Sequence, residues 1–74
     1  MPELPRISGK EAIRAFERLG FRQARQKGSH VVLRKEAKGC VVPLHGSLAV
    51  GTLRNAIRQA GITLEDFIAA HKHR

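Results

Sequence analysis

Between Phe21 and Pro43 the chain holds three short stretches that can be strands, separated by breaks so tight that consecutive stretches must turn straight back on each other. Phe21 to Gln26 alternates weakly, Lys27-Gly28-Ser29 is a turn, and His30-Val31-Val32-Leu33 is a β-branched, apolar run. Lys35 to Gly39 is polar and closes a second hairpin. Cys40-Val41-Val42 follows, and Pro43, which cannot donate to a ladder, ends it. Three short strands joined by tight turns imply an antiparallel meander. Side chains alternate across a strand, so Val31 and Leu33 share one face while His30, Val32 and Arg34 share the other. With Val31 and Leu33 toward a core, His30 stands on the open face beside cations.

Helices are expected on both flanks of the meander. Ser8-Gly9-Lys10-Glu11 has the form of a capping box, with Ile7 outside it as a staple partner for Ala12. Ala12, Ile13, Phe16 and Leu19 recur at helical spacing, and Gly20 suits the left-handed residue that ends a helix, which predicts a helix over Gly9 to Leu19. Leu44 to Val50 reads as a loop carrying His45. From Gly51-Thr52, the stripe Leu53, Ala56, Ile57 and Ala60 predicts a second helix that stops at Gly61. Thr63 with Asp66 resembles a further cap for a short helix bearing Leu64, Phe67 and Ile68. Met1 to Arg6, with Pro2 and Pro5, is an extended lead-in, and His71-Lys72-His73-Arg74 is a basic tail. The order predicts one domain over 1–74, an α+β two-layer sandwich with the helices on one face of a three-stranded antiparallel sheet.

Fourteen Lys and Arg against six Asp and Glu give a formal net charge of +8 on 74 residues, an excess that points to a polyanionic partner. From Arg18 to Lys35 the chain carries Arg18, Arg22, Arg25, Lys27, Arg34 and Lys35 with no acid among them. A basic block is often only a solubilising face, but one undiluted by acids argues for phosphate contacts. No apolar run is long enough to cross a membrane, no signal pattern opens the chain, and no basic amphipathic helix has the apolar face that membrane binding needs; a soluble cytoplasmic protein is expected. Cys40 is the single cysteine and opens a Cys-Val-Val run, which reads as a buried strand residue rather than a nucleophile.

His30, His45, His71 and His73 lack partner carboxylates or thiols at metal-ligand spacing, and neither a Gly-rich phosphate loop nor a Ser-His-Asp arrangement is present, so neither metal nor cofactor is expected. What remains is a histidine on a basic sheet surface. An imidazole titrates near pH 6.5 when unperturbed, so it can give or take a proton near neutrality. RNA carries its own nucleophile, the 2′-hydroxyl; a protein need only align it, move a proton and stabilise charge on the phosphate oxygens. His45 could be a second acid or base, although a loop histidine bonded to a backbone carbonyl fits equally well.

The chain resembles the HicA family of toxins, also known as YcfA-like mRNA interferases. The resemblance rests on Gly28-Ser29-His30-Val31-Val32-Leu33, on Val42-Pro43-Leu44-His45, and on Gly51-Thr52-Leu53-Arg54 leading to Ala60-Gly61-Ile62-Thr63 and Phe67; it spans Ile7 to about Ile68. It implies a fold like a double-stranded-RNA-binding domain, ribosome-independent cleavage of mRNA, and a HicB-type antitoxin that neutralises the toxin in a hetero-oligomer, the free toxin being a monomer. The family's catalytic histidine falls on His30. The expected RNA contacts are Arg22, Arg25, Lys27, Gly28, Ser29, Arg34 and His45. Two rival readings are a non-catalytic RNA-binding module of the same fold and a protein-interaction domain using the open sheet face. The first is weakened by the single cation, Arg54, in the first turn of the second helix, where duplex-binding modules carry several.

Overall fold

The computed structural model describes residues 4–72 and orders them as α1 (Gly9–Arg18), β1 (Arg22–Lys27), β2 (His30–Lys35), β3 (Lys38–Pro43), α2 (Val50–Ala60) and α3 (Leu64–Lys72). The strands form one antiparallel sheet in the order β1-β2-β3, and the fold is α+β as expected.

Local chemistry sets the helix ends. At the start of α1 the Ser8 hydroxyl accepts from the Glu11 amide at 3.1 Å and the Ser8 amide donates to the Glu11 carboxylate at 3.0 Å, a complete capping box. Removing such a cap costs about 1 kcal/mol. At the other end Gly20 takes φ +99°, which lets its own amide reach Glu17 O and the Phe21 amide reach Phe16 O. That reversal sets the Phe21 ring edge-on to Phe16 at 5.6 Å. Gly61, at φ +70°, ends α2 in the same way, its amide bonded to Arg58 O and that of Ile62 to Ile57 O. The Thr63 hydroxyl accepts from the Asp66 amide at 3.0 Å and caps α3. The start of α2 differs: the helix begins at Val50 rather than Gly51, behind Ala49, which has no side chain to cap it.

All three helices lie on one side of the sheet. Val31, Leu33, Cys40 and Val42 point beneath them and are buried, together with Ile13 and Phe16 of α1, Leu53 and Ile57 of α2, and Phe67 of α3. Phe16 and Phe67 are fully buried with ring centroids 5.1 Å apart, and each contributes roughly 1.5–3 kcal/mol by leaving water. The lead-in belongs to this core through Leu4, and Ile7, the expected staple residue, is buried as well, as is Ala12; Met1 to Glu3, His73 and Arg74 lie outside the described residues. His71 and Lys72, expected in a tail, are the last residues of α3.

The strands depart from expectation at their ends. β1 starts at Arg22 because Phe21 is drawn into the core by the α1 terminus, and Lys27 pairs with His30 instead of belonging to the turn. Both hairpins therefore turn through two residues, Gly28-Ser29 and Glu36-Ala37, and the first residue of each has a positive φ, +60° and +56°. Glutamate is an unusual occupant of that conformation, so the second turn was not legible as so tight. β3 reaches back to Lys38 and forward to Pro43. Proline is tolerated there because the Val41 amide, two residues earlier, already points outward from the sheet to the Gln59 carboxamide at 3.2 Å; by alternation Pro43 lacks an N–H only where none would meet β2.

After β3 the chain is pinned by backbone alone: the Leu44 amide donates to Ser29 O at 2.6 Å, the Gly9 amide to His45 O at 2.9 Å, and the Leu48 amide to Ile7 O at 2.8 Å. Helix α1 comes so close here that a Cβ on Gly9 would collide with Pro43 O. Helix propensity favours alanine at an ordinary helical glycine by about 1 kcal/mol, whereas overpacking against rigid backbone costs about 1–3 kcal/mol. Gly9→Ala is therefore expected to lower the melting temperature by several degrees, measured by circular dichroism; an unchanged or higher melting temperature would show that the contact yields freely.

Candidate functional site

The helix-free face of the sheet is built by the register. Across β1 and β2 the pairs are Arg22 with Arg34, Gln23 with Leu33, Arg25 with Val32, Gln26 with Val31 and Lys27 with His30; β3 adds Gly39 opposite Arg34, Val41 opposite Val32 and Pro43 opposite His30. Paired residues share a face, so the open side consists of three rows: Lys27–His30, ending at Pro43, which is itself buried, Arg25–Val32–Val41, and Arg22–Arg34–Gly39. Arg22, Arg25, Lys27, His30 and Arg34 are all exposed, and none of β1, β2 or β3 contains an acidic residue.

Strict alternation would put Arg22 and Arg25 on opposite faces, since they are three residues apart. A β-bulge between Gln23 and Arg25 makes Ala24 the extra residue and returns Arg22 to the same side as Arg25 and Lys27. The cost of the irregularity is small at an edge strand, and β1 is one. The sequence names these three cations but gives no sign of the bulge that aligns them.

The basic block does not act as one patch. Arg18 donates to Ala70 O at 3.1 Å and ties α1 to the end of α3. Lys35, on the helix side of β2, donates to Leu19 O at 2.8 Å at the α1 terminus and stands 6.0 Å from the centre of the Phe21 ring. Its cross-strand partner Lys38 lies against Gly61 at the α2 terminus. Cations at helix C-termini meet the partial negative charge of unpaired carbonyls. The remaining members of the block, Arg22, Arg25, Lys27 and Arg34, face open solvent on the other side.

His30 opens β2 at the end of the sheet where the Gly28-Ser29 turn sits. Ser29 O is held by the Leu44 amide, so the turn is tied to β3 on one side and, through the Gln26 carboxamide bonded to Gly28 O at 2.9 Å, to β1 on the other. Lys27 stands directly opposite His30. His45 is exposed at this same end, two residues past Pro43, with its carbonyl fixed by Gly9. Gly28, Ser29, Lys27, His30 and His45 are thus gathered at one end, Arg22 and Arg34 stand at the other, and Arg25 lies between. Val32, half-buried, and Val41, 39% exposed, give the middle row an apolar floor.

Clefts lie elsewhere, one of about 280 Å³ between Glu11, Arg14, Arg18 and His71 and one of about 380 Å³ bordered by Phe21, Lys35, Lys38, Ala60 and Ile62. Among the described residues no three His, Cys, Asp or Glu side chains come together as a metal site, and no helix is long and apolar enough to cross a membrane.

A family model described as the HicA toxin of bacterial toxin-antitoxin matches residues 9–62 of the 74. The chain belongs to the HicA toxin family. Comparison with curated protein sequences returns no match. The matched span runs from the Gly9 contact at the start of α1 to the residue after Gly61, and so contains the whole sheet and the open face. Membership in HicA assigns the chain the toxin part of a toxin-antitoxin pair and implies an antitoxin as its partner.

Cys40, the one thiol, is buried on the helix side of β3, and burial pushes its pKa from 9.0 up to about 12. The folded thiol keeps its proton where the unfolded one loses it, so this residue contributes stability below pH 9.0 that is lost as pH rises toward 12. Native protein at neutral pH is expected to resist iodoacetamide, with one adduct by mass spectrometry appearing only after denaturation. Rapid labelling of the folded protein would place the thiol within reach of solvent.

Proposed function

We propose that this HicA-family toxin is a metal-independent endoribonuclease that arrests growth in the cytoplasm by cutting mRNA without the ribosome. In the reaction the 2′-oxygen bonds to the adjacent phosphorus, the bond from phosphorus to the 5′-oxygen breaks, the hydroxyl proton departs and the leaving 5′-oxygen gains one. His30 carries one of these proton transfers, and His45 is the candidate for the other. Lys27 offsets charge on the oxygens of the reacting phosphate, Arg25, Arg22 and Arg34 hold neighbouring phosphates, and the Gly28-Ser29 turn lets the backbone approach the strand.

The observation that carries this reading is the row pairing of His30 with Lys27 on a sheet face that bears Arg22, Arg25 and Arg34 and no acid. An open strand surface suits a polymer laid across it, whereas small molecules are usually enclosed in a cavity. Because the attacking group belongs to RNA, the protein's share is positioning, a proton and positive charge, and these residues supply all of it. The free toxin acts as a monomer, and a HicB-type antitoxin silences it by covering this face in a hetero-oligomer.

A positioned acid or base is worth about 10²–10⁴-fold, so His30→Ala should reduce RNA cleavage by that factor and relieve growth arrest on expression, with an unchanged circular dichroism spectrum since the side chain is exposed. RNA carrying a single 2′-deoxy residue at the cut should resist the wild-type protein, and EDTA should change nothing. Undiminished arrest by His30→Ala, or loss of cleavage in EDTA, would remove this mechanism.

Capture by the antitoxin should be steered by the same charge. Reversing Arg25 and Arg34 to Glu is expected to slow association by about tenfold or more at low salt, read by surface plasmon resonance. An unaltered association rate would place the interface on another face.

A further inference from the structure

The sheet contains two pairs of like charges standing directly opposite each other on neighbouring strands, an arrangement that is destabilising by itself. Lys35 and Lys38 are one pair, and the fold relieves it: each lies on the helix side and meets a helix C-terminus, Lys35 through its bond to Leu19 O and Lys38 against Gly61. Arg22 and Arg34 are the other pair, on the open face, with no carboxylate in any strand to relieve them. The Arg34 side chain lies along Gly39 of β3, where a Cβ would stand 3.6 Å from its Cγ and 3.7 Å from its Nη1. Gly39, having no side chain, leaves the space for it.

From this contrast we infer that Arg22 and Arg34 form a phosphate subsite of their own, which holds the RNA two phosphates away from the one that is cut. The inference rests on the ribonuclease reading above and adds a register to it. Alternate residues of an antiparallel strand stand about 7 Å apart, close to the separation of successive phosphates in an extended strand, so the Arg22–Arg34 row lies about 14 Å from the Lys27–His30 row. Three rows then match three successive phosphates, with Lys27, Arg25 and the Arg22–Arg34 pair facing one each. Val32 and Val41 lie under the nucleoside that bridges the middle row. All three phenylalanines are buried, so His30 is the one aromatic ring on the face and its grip on RNA comes chiefly from charge. The bulge at Ala24 is what brings the distal row onto this side.

The test is a scan in which single phosphates of a short single-stranded RNA with a defined cut are replaced by neutral methylphosphonates, with kcat/KM measured for the wild-type protein and for the Arg22→Gln/Arg34→Gln double variant. For wild type, neutralising the phosphate two steps from the cut on one side should lower kcat/KM about fivefold, and the same replacement should have no effect in the double variant. The salt slope of RNA binding should also fall by about one in the variant. An equal effect in both proteins, or one with no dependence on position, would overturn the subsite while leaving the ribonuclease reading standing. Failure of wild type to cut the unmodified RNA would overturn both.

Discussion

Burial of Val31, Leu33, Cys40 and Val42 beneath three helices determines where every other side chain of the sheet must go. Because strand side chains alternate, a slip of one residue would carry the entire apolar set into water, and roughly 1.5–3 kcal/mol per large side chain opposes it. His30 is exposed as a consequence of its neighbour's burial, not through any preference of its own. Lys27 stands opposite it for the same reason. The one place where the register gives way is β1, an edge strand, and there the bulge at Ala24 adds Arg22 to the face that Arg25 and Lys27 already occupy.

Charge is divided by this same alternation. Lys35 and Lys38 fall on the helix side, where the C-termini of α1 and α2 present unpaired carbonyls, and they close the far end of the layer. Arg18 performs a similar task between α1 and α3. The cations on the open face, Arg22, Arg25, Lys27 and Arg34, are a minority of the fourteen, since Lys10, Arg14, Arg54 and Arg58 are exposed on the helices, but the face is uniform in sign. A polyanion is attracted to such a face, and an acidic or hydrogen-bonding antitoxin surface would compete for it directly.

The elements that local chemistry dictates were legible in the sequence: the Ser8–Glu11 box, the Gly20 and Gly61 terminators, the Thr63 cap, and the parity that exposes His30. Features that depend on partners distant in sequence were not. Nothing in Leu4 announces that the lead-in joins the core, Glu36 gives no turn signal, and only the Val41–Gln59 bond shows that the Pro43 nitrogen faces away from β2. Gly9 reads as a capping-box filler, whereas its want of a side chain is what allows α1 to lie on the Pro43–Leu44 backbone and the His45 carbonyl to be held. At the site, the residue types were readable and their sorting was not: a run of cations in sequence became two opposed sets, divided by a bulge and by helix ends that only the fold brings near.

In the proposed reaction the nucleophile comes from the RNA, and the protein supplies only a proton carrier and positive charge. The ends of the cut RNA record which oxygen attacked. Mass spectrometry of the fragments made by the purified toxin from a defined single-stranded RNA should find a 2′,3′-cyclic phosphate, or the 3′-phosphate formed by its hydrolysis, on the upstream piece and a 5′-hydroxyl on the downstream piece. A 3′-hydroxyl paired with a 5′-phosphate would mean that water attacked instead, and would contradict the account.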